Sequence, residues 1–333
     1  MLRKAYESEP LPVSMAKEQI ELGRREVVMA TDRISQPVHV KQAVDFMLSD
    51  NPSTKMNSPF ERNQTIDFFP SRNLFLPVDK DAVERNAVVR PERMDMVVDT
   101  MRWRIPTNYV FKDGQFLMDL MAHNNWERPV YFAITVSTDT YQNLDKFFQI
   151  EGLAYRIVPI EVQRVGGRYG NVDSEIMYDN LMNNFQYRSL ADPKVYINEN
   201  STRIISNYRN IFGRLARTLN EEGKHDMAIK ALDRCMEVVP PETVPFNFFA
   251  LSLIEGYYRA GAIEKAAEYS RIYMEQSADE LVYLLSLPER LAGSVRGETE
   301  LSLYILQELY KMANSFEKGE HLNELEELFD AIG

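Results

Sequence analysis

Apolar residues in the middle of the chain alternate between short continuous runs and the wider spacing of amphipathic helices. The runs Val130–Val136 and Leu153–Ile160 predict two strands. Helical spacing precedes each strand, at Gln115–Ala122 and Thr140–Gln149. Consecutive strands joined by helices favour parallel neighbours with right-handed crossovers. The pattern therefore predicts an α/β layer with a mostly parallel or mixed sheet.

Shorter predicted elements surround this layer, and we assign them with it to an α/β domain covering residues 1–195. Asp79 and Asp81 stand where acidic side chains suit the exposed N–H groups at a helix start. The predicted strands are Glu26–Met29, Asn73–Val78 and Arg102–Ile105, the predicted helices are Ser14–Arg25, Val38–Leu48, Asp79–Arg85 and Glu175–Phe185, and Asn51–Pro59 is a predicted loop.

A glycine-rich run at 165–170 follows the second strand of the layer. Phosphate-binding loops carry a Gly-x-Gly-x-x-Gly or a Gly-Lys-Ser/Thr pattern, and this run has neither. Because glycine tolerates positive φ, we expect a flexible turn here instead.

Residues 200–333 change to helical spacing throughout, which predicts a second, all-α domain. The spacing of apolar, small and turn residues is similar to that of tetratricopeptide repeats, which recur about every 34 residues. A second unit repeats the pattern after 38 residues, and the extra residues fit the Pro240–Pro245 linker. The first unit rests on Phe212, Leu215, Ala216, Leu219, Gly223, Ala228, Leu232 and Pro240, and the second on Leu253, Tyr257, Gly261 and Ala266.

The remaining helices are less regular. Ser201 or Thr202 is the expected cap of the first repeat helix. Asp279–Leu287 predicts an extra helix, and Glu298–Ala313 with Glu320–Ala331 predicts a third pair. We therefore expect a tetratricopeptide-like end that stacks into a short array.

Stacked helix pairs form a concave face suited to extended peptides. In the alternative, the helices only brace the α/β layer and bind nothing. The repeat register predicts these peptide-binding positions on the concave face: Asn210, Arg217, Asn220, Glu221, Tyr258 and Arg259.

The α/β layer offers a second possible ligand site. Polar and aromatic residues flank its strands and are suited either to a groove for a sugar or peptide or to packing helices on the sheet. Open α/β sheets bind ligands at the carboxyl ends of their strands, which makes Ser137, Thr138 and Asp139 the first positions for an enzyme. The groove candidates are Trp126, Arg128, Tyr131, Asp139, Tyr155 and Arg156.

The residues capable of catalysis or metal binding form no recognisable constellation. The four histidines have no His or Cys at metal-ligand spacing, so we expect neither a metal nor a cofactor. Cys235 falls on a packing face and is expected to be a buried small hydrophobe. Acidic residues number 50 of 333, so spacings such as Asp95 to Asp99 or Asp139 to Asp145 arise by chance. The histidines are His39, His123, His225 and His321.

Charge and composition narrow the class of partner. The net charge of −12 argues against binding to nucleic acid, which requires a basic face. The sequence also lacks the polybasic block that would indicate binding to anionic lipid. No apolar run is long enough to span a bilayer, and the start of the chain lacks the apolar core of a signal peptide. With one cysteine the chain forms no internal disulfide.

Several segments resemble a known family. The runs 124–133 (NNWERPVYFA) and 151–159 (EGLAYRIVP) carry the resemblance, supported by matches at 2–7, 69–70 with 76–80, 177–180 and 231–233. They are similar to the C-terminal portion of the membrane proteins of domain-of-unknown-function family 2723. Those proteins occur in Gram-negative bacteria, and their membrane half is similar to protein O-mannosyltransferases.

The resemblance implies a context for this chain. We expect an extracytoplasmic (periplasmic) region of a glycosyltransferase-like membrane protein, with no catalysis of its own. It would act as a protein-interaction or substrate-positioning module, with a protein or peptide, a glycan and the membrane half as partners. The alternative is a carbohydrate-active α/β enzyme with acidic residues at the strand ends.

Overall fold

The computed structural model describes residues 11–16, 26–163, 169–316 and Asn323. The chain divides into two compact units, Met1–Ile150 with Ala154–Asn171 and Glu151–Leu153 with Val172–Gly333. An α/β region is followed by a helical region, so the predicted fold class is confirmed. The division at residue 171 precedes the predicted change of pattern near 195–200, because residues 174 and 175 are bonded to residues 222 and 224 of the helical unit.

Two mixed sheets form the first part of the α/β unit. In one, β1 pairs parallel with β4 and antiparallel with β7, and β3 pairs antiparallel with β4. In the other, β5 pairs parallel with β2 and antiparallel with β6. The strands are β1 (Val27–Ala30), β2 (Val38–His39), β3 (Lys55–Asn57), β4 (Thr65–Phe69), β5 (Asn73–Pro77), β6 (Thr100–Arg104) and β7 (Tyr109–Phe111).

Within the described residues, the helices that accompany these sheets are α1 (Val40–Leu48), α2 (Lys80–Arg85) and α3 (Lys112–His123). The predicted cap of α2 is confirmed, because the Asp79 carboxylate accepts a hydrogen bond from the Ala82 amide at 3.0 Å. Helix α1 buries Val40, Ala43, Val44 and Met47, the face expected from their spacing. The predicted loop at 51–59 instead contains a 3₁₀ turn, Pro52–Thr54, and strand β3.

The third sheet differs from the prediction of a mostly parallel or mixed layer. Its strands are β8 (Tyr131–Ala133), β9 (Phe148–Ile150), β10 (Ala154–Ile157) and β11 (Asn171–Val172), in the order β11-β9-β10-β8. Both β8 and β9 pair antiparallel with β10, so the prediction of parallel neighbours here is wrong.

The predicted helix Thr140–Gln149 is also wrong, and its backbone explains why. The segment forms 3₁₀ turns at Thr138–Tyr141 and Asp145–Phe147 and then enters β9. Between the turns, Gln142 and Asn143 adopt φ of 51° and 59°, which a right-handed helix does not allow. Gly152, at φ 114°, then reverses the chain between β9 and β10.

The helical unit consists of a short helix followed by paired helices. The pairs α5 with α6 and α7 with α8 are each joined by a tight turn in which Gly223 or Gly261 adopts a φ of 73° or 80°. The helices in the described part of this unit are α4 (Ser174–Asp179, continued by a π turn at Asn180–Asn184), α5 (Glu199–Glu221), α6 (His225–Val238), α7 (Ala250–Arg259), α8 (Ile263–Ser286), α9 (Glu289–Ala292) and α10 (Arg296–Phe316).

Two predicted details of the helical unit need correction. Asn198, not Ser201 or Thr202, caps α5 by accepting the Ser201 amide at 2.9 Å. The extra helix at 279–287 is the last part of α8 and not a separate element. Most of the predicted helix at 14–25, most of the turn at 165–170 and nearly all of the helix at 320–331 lie outside the described residues. No helix in the described ranges has the length and apolarity to cross a bilayer.

Candidate functional site

The helix pairs approach closely because small residues line their contacts. A Cβ atom added to Gly256 on α7 would lie 3.4 Å from Ala216 on α5 and 3.1 Å from Leu232 on α6. A Cβ atom added to Gly213 would collide with Ser252, whose Cβ would be only 3.0 Å away. These contacts set α5 and α7 side by side, so residues on their outer faces share one surface.

Arg209 fixes the linker that joins the two helix pairs. Its fully buried guanidinium donates to the carbonyl oxygens of Pro245 at 2.6 Å, Val239 at 3.1 Å and Val244. The same group lies 4.9 Å from the ring centroid of Phe246. These three linker carbonyls are thereby satisfied in the interior, which holds the second pair in register with the first.

An open cleft of about 390 Å³ lies on the shared surface of α5, α7 and the end of α10. It contains two arginines, two glutamates, an amide and an aromatic ring. Its lining residues are Arg217, Asn220, Glu221, Glu255, Arg259 and Phe316. The structure thus brings together four of the six predicted peptide-binding positions, Arg217, Asn220, Glu221 and Arg259.

The charges in this cleft converge on Glu255. Its Oε1 accepts from Arg259 Nε at 2.8 Å, an i,i+4 pair within α7. Its Oε2 accepts from Arg217 Nη2 across the helix contact, at 3.4 Å. One carboxylate therefore serves two guanidinium groups, and the bond to Arg217 is the longer one.

Aromatic packing forms one end of the cleft. Phe316, which is 38% exposed, stacks on Tyr258 with ring centroids 5.4 Å apart and ring planes 9° apart. Arg259 lies 6.0 Å from the Phe316 centroid. Tyr258 itself is only 2% exposed, so its prediction as an exposed concave residue is wrong, because α10 covers it.

The two asparagines predicted to bind peptide differ in position, because Asn220 lines the cleft and Asn210 does not. Asn220 donates to the Gly256 carbonyl at 2.9 Å, and its Oδ1 lies 3.0 Å from His225 Nδ1. Its amide therefore ties α5 to α7 at the cleft wall. Asn210 is half-buried and lies two helical turns before Arg217, outside the cleft lining. Sequence reasoning missed Glu255 and Phe316, although Glu255 occupies the helix position four residues before Arg259.

The second predicted groove is only partly assembled. Trp126, Arg128 and Arg156 line a cavity of about 70 Å³, together with apolar residues. Tyr155 is buried and stacks on Phe148, with centroids 5.2 Å apart. Tyr131 and Asp139 are exposed and do not line that cavity. Among the described residues, no acidic side chain lines the cavity, which gives no support to acid–base chemistry there.

The loop beside this cavity holds a strained backbone. Asn125 and Trp126 adopt φ of 40° and 63°, which is unusual for a bulky residue such as tryptophan. Asn124 supports the loop, because its amide donates to the Arg128 carbonyl at 2.7 Å and accepts from the Arg128 amide at 3.1 Å. Asn125 donates to Asp79 at 3.1 Å.

The other acidic candidates do not converge. Ser137, Thr138 and Asp139 are exposed on a 3₁₀ turn. Asp145 and Glu161 do share an open cleft of about 790 Å³, but Glu161 is paired with Lys146 at 2.6 Å and Asp145 is buried. The arrangement is that of an ion pair and a buried carboxylate rather than two carboxylates facing a substrate.

The histidines in the described ranges and the cysteine occupy ordinary structural positions. Among the described residues, no group of three or more His, Cys, Asp or Glu is arranged to hold a metal ion. His123 Nδ1 contacts the buried Asp119 carboxylate at 2.9 Å, and His39 caps α1 through the Lys41 amide. Cys235 is buried, as expected, and burial raises the pKa of its thiol to about 12.

Comparison with known proteins gives one family. Residues 1–176 match the family model described as TMEM260-associated domain 2. That range covers the described elements of the α/β unit and ends within α4, before the helix pairs begin. Neither a search of curated proteins nor a search of solved structures found a match. The specific resemblance to domain-of-unknown-function family 2723 stays a prediction.

Proposed function

The chain belongs to the TMEM260-associated domain 2 family, and from that premise we propose that it is a non-catalytic interaction module that binds extended peptide segments. The observation that carries the proposal is the open cleft between α5, α7 and α10, where charged and aromatic side chains lie together. Clefts on stacked helix pairs suit extended peptides, because they offer a continuous line of side-chain contacts.

The proposed setting of the module is a membrane protein. The family is named for TMEM260, which is a membrane protein. The resemblance to proteins with an O-mannosyltransferase-like membrane half supports an extracytoplasmic, periplasmic position for this chain. There it would position protein or glycan substrates for a catalytic half that these residues do not supply.

The geometry gives the enzyme alternative less support. The predicted acidic positions at the strand ends, with Asp139 first, lie exposed and apart from the cavity near Trp126. A thermal-shift comparison of glycans with peptides separates the two functions, because a ligand that binds only the native state raises the melting temperature. A rise with glycans alone would move the binding function to the α/β unit.

The proposal is tested by panning a phage-displayed dodecapeptide library against the whole chain and against the double variant Arg217→Ala, Arg259→Ala. We expect enriched peptides on the parent chain and their loss on the double variant. The matched control is Arg203→Ala, Arg296→Ala. It likewise removes two arginines, one from α5 and one from α10, but neither of them lines the cleft.

Two outcomes count against the proposal. Failure to enrich any peptide on the parent chain would leave only the bracing role for the helices. Equal enrichment on the parent chain and the double variant would place binding elsewhere on the molecule. Far-UV circular dichroism of each variant confirms that the helices remain folded.

A further inference from the structure

We infer that the cleft recognises a carboxylate group of the bound peptide through Arg217, and that Glu255 competes with that carboxylate. This inference rests on the peptide-binding function proposed above. It adds two points. The ligand carries an acidic residue next to an aromatic or apolar one, and Glu255 of the cleft limits the affinity for it.

Arg217 has unused hydrogen-bonding capacity. Its guanidinium carries five N–H donors in a planar fork. Within the described part of the chain, the one hydrogen bond of that group is the 3.4 Å contact with Glu255, and its side chain is 37% exposed. A carboxylate that binds such a fork in the bidentate manner forms shorter and stronger bonds than this one. An acidic ligand group therefore has a better contact available to it than Glu255 makes.

Glu255 occupies the place that a ligand carboxylate would take. Its two oxygens divide between Arg259, at 2.8 Å, and Arg217. Because Arg259 also holds Glu255 from one turn further along α7, Glu255 can give up Arg217 and keep a partner. Until it does so, its negative charge opposes the approach of an anionic peptide.

The aromatic end of the cleft defines the neighbouring position of the ligand. Phe316 is partly exposed, and one face of its ring is stacked on Tyr258. A peptide carboxylate on Arg217 leaves the adjacent side chain near this ring, where an aromatic or aliphatic group would bury surface. The proposed ligand of the cleft is thus a peptide in which an acidic residue stands next to an apolar one.

The test uses the peptides enriched by panning, resynthesised with amidated ends so that only side chains carry charge. Each is paired with a version in which Glu or Asp is replaced by Gln or Asn. Fluorescence anisotropy against the whole chain measures the affinities. We expect the acidic peptides to bind about tenfold tighter than the neutral ones, and Arg217→Ala to remove that preference.

The discriminating variant is Glu255→Gln, which retains the shape of the side chain and removes its charge. We expect it to bind acidic peptides about three- to fivefold tighter, the size of an exposed charge contact, and neutral peptides without change. The control Glu300→Gln removes an exposed glutamate on α10 outside the cleft and should alter neither affinity.

The outcomes separate the inference from the proposed function. Enriched peptides that bind without regard to charge, or an unchanged affinity in Glu255→Gln, would overturn the inference and leave the peptide-binding function standing. The absence of any peptide binding would overturn both. Higher salt should lower the affinity of the acidic peptides more than that of the neutral ones, because the contact with Arg217 is partly exposed.

Discussion

Replacing Arg209 by methionine tests whether this buried guanidinium holds the repeat linker. The side chain donates to three backbone carbonyls of residues 239–245, and methionine has a similar length but no donor. Each lost bond to a buried carbonyl costs about 1 kcal/mol, so about 3 kcal/mol in all. Burial lowers the pKa of Arg209 to about 10, so the group is charged at neutral pH and its removal recovers part of its desolvation cost. We therefore expect a loss of about 2–3 kcal/mol.

The assay is urea unfolding of the whole chain, followed by circular dichroism at 222 nm. With a slope of about 2 kcal/mol per molar urea, the midpoint should fall by about 1–1.5 M. Tryptophan fluorescence follows the α/β unit separately, because Trp103 and Trp126 both belong to it. Arg203→Met, an exposed arginine on the same helix, should change stability by less than about 0.5 kcal/mol. A midpoint of Arg209→Met that matches this control would refute the reasoning.

Three further predictions follow from local geometry. The hydrogen-bonded Arg72 guanidinium lowers the pKa of Asp32 to about 2. The parent chain should therefore be more stable than Asp32→Asn by a constant amount above about pH 4, and this difference should disappear as the pH falls through about 2. Melting temperatures that differ equally at pH 7 and pH 2 would contradict this prediction. Gly213→Ala should cost about 2 kcal/mol in urea unfolding, because its Cβ collides with Ser252, and Ser252→Gly should recover more than half of that loss; a neutral Gly213→Ala would contradict this packing. Cys235 should not react with Ellman's reagent in the native chain at pH 8 over minutes, yet react fully in guanidinium chloride; fast native labelling would contradict its burial.

Local sequence signals predicted the elements that depend on neighbouring residues. Gly223 and Gly261 mark the turns within each helix pair, and both adopt the positive φ that the pattern requires. The cap at Asp79 and the apolar face of α1 follow from similarly short-range rules. These features are decided within a few residues, which is the range over which propensity and periodicity act.

The errors arise where distant residues decide the outcome. The run 140–149 has helical spacing, but the left-handed conformations of Gln142 and Asn143 and the pairing of β9 with β10 override it. Tyr258 occupies a concave register position and is nonetheless covered by Phe316, which lies far away in sequence. The pairing of Arg217 with Glu255 likewise depends on the contact between α5 and α7. The sequence does not indicate which charged surface residues of the two helices meet there.

Site-specific photo-crosslinking tests the central claim, peptide binding in the cleft, most directly. A benzophenone amino acid replaces Glu221, an exposed residue of the cleft, or Glu300, an exposed residue outside it. With a fluorescent enriched peptide, we predict strong ultraviolet-dependent labelling of the first protein and background labelling of the second. Unlabelled peptide in excess should compete with the first signal. Labelling confined to the second protein, equal in both, or absent from both would contradict binding in this cleft.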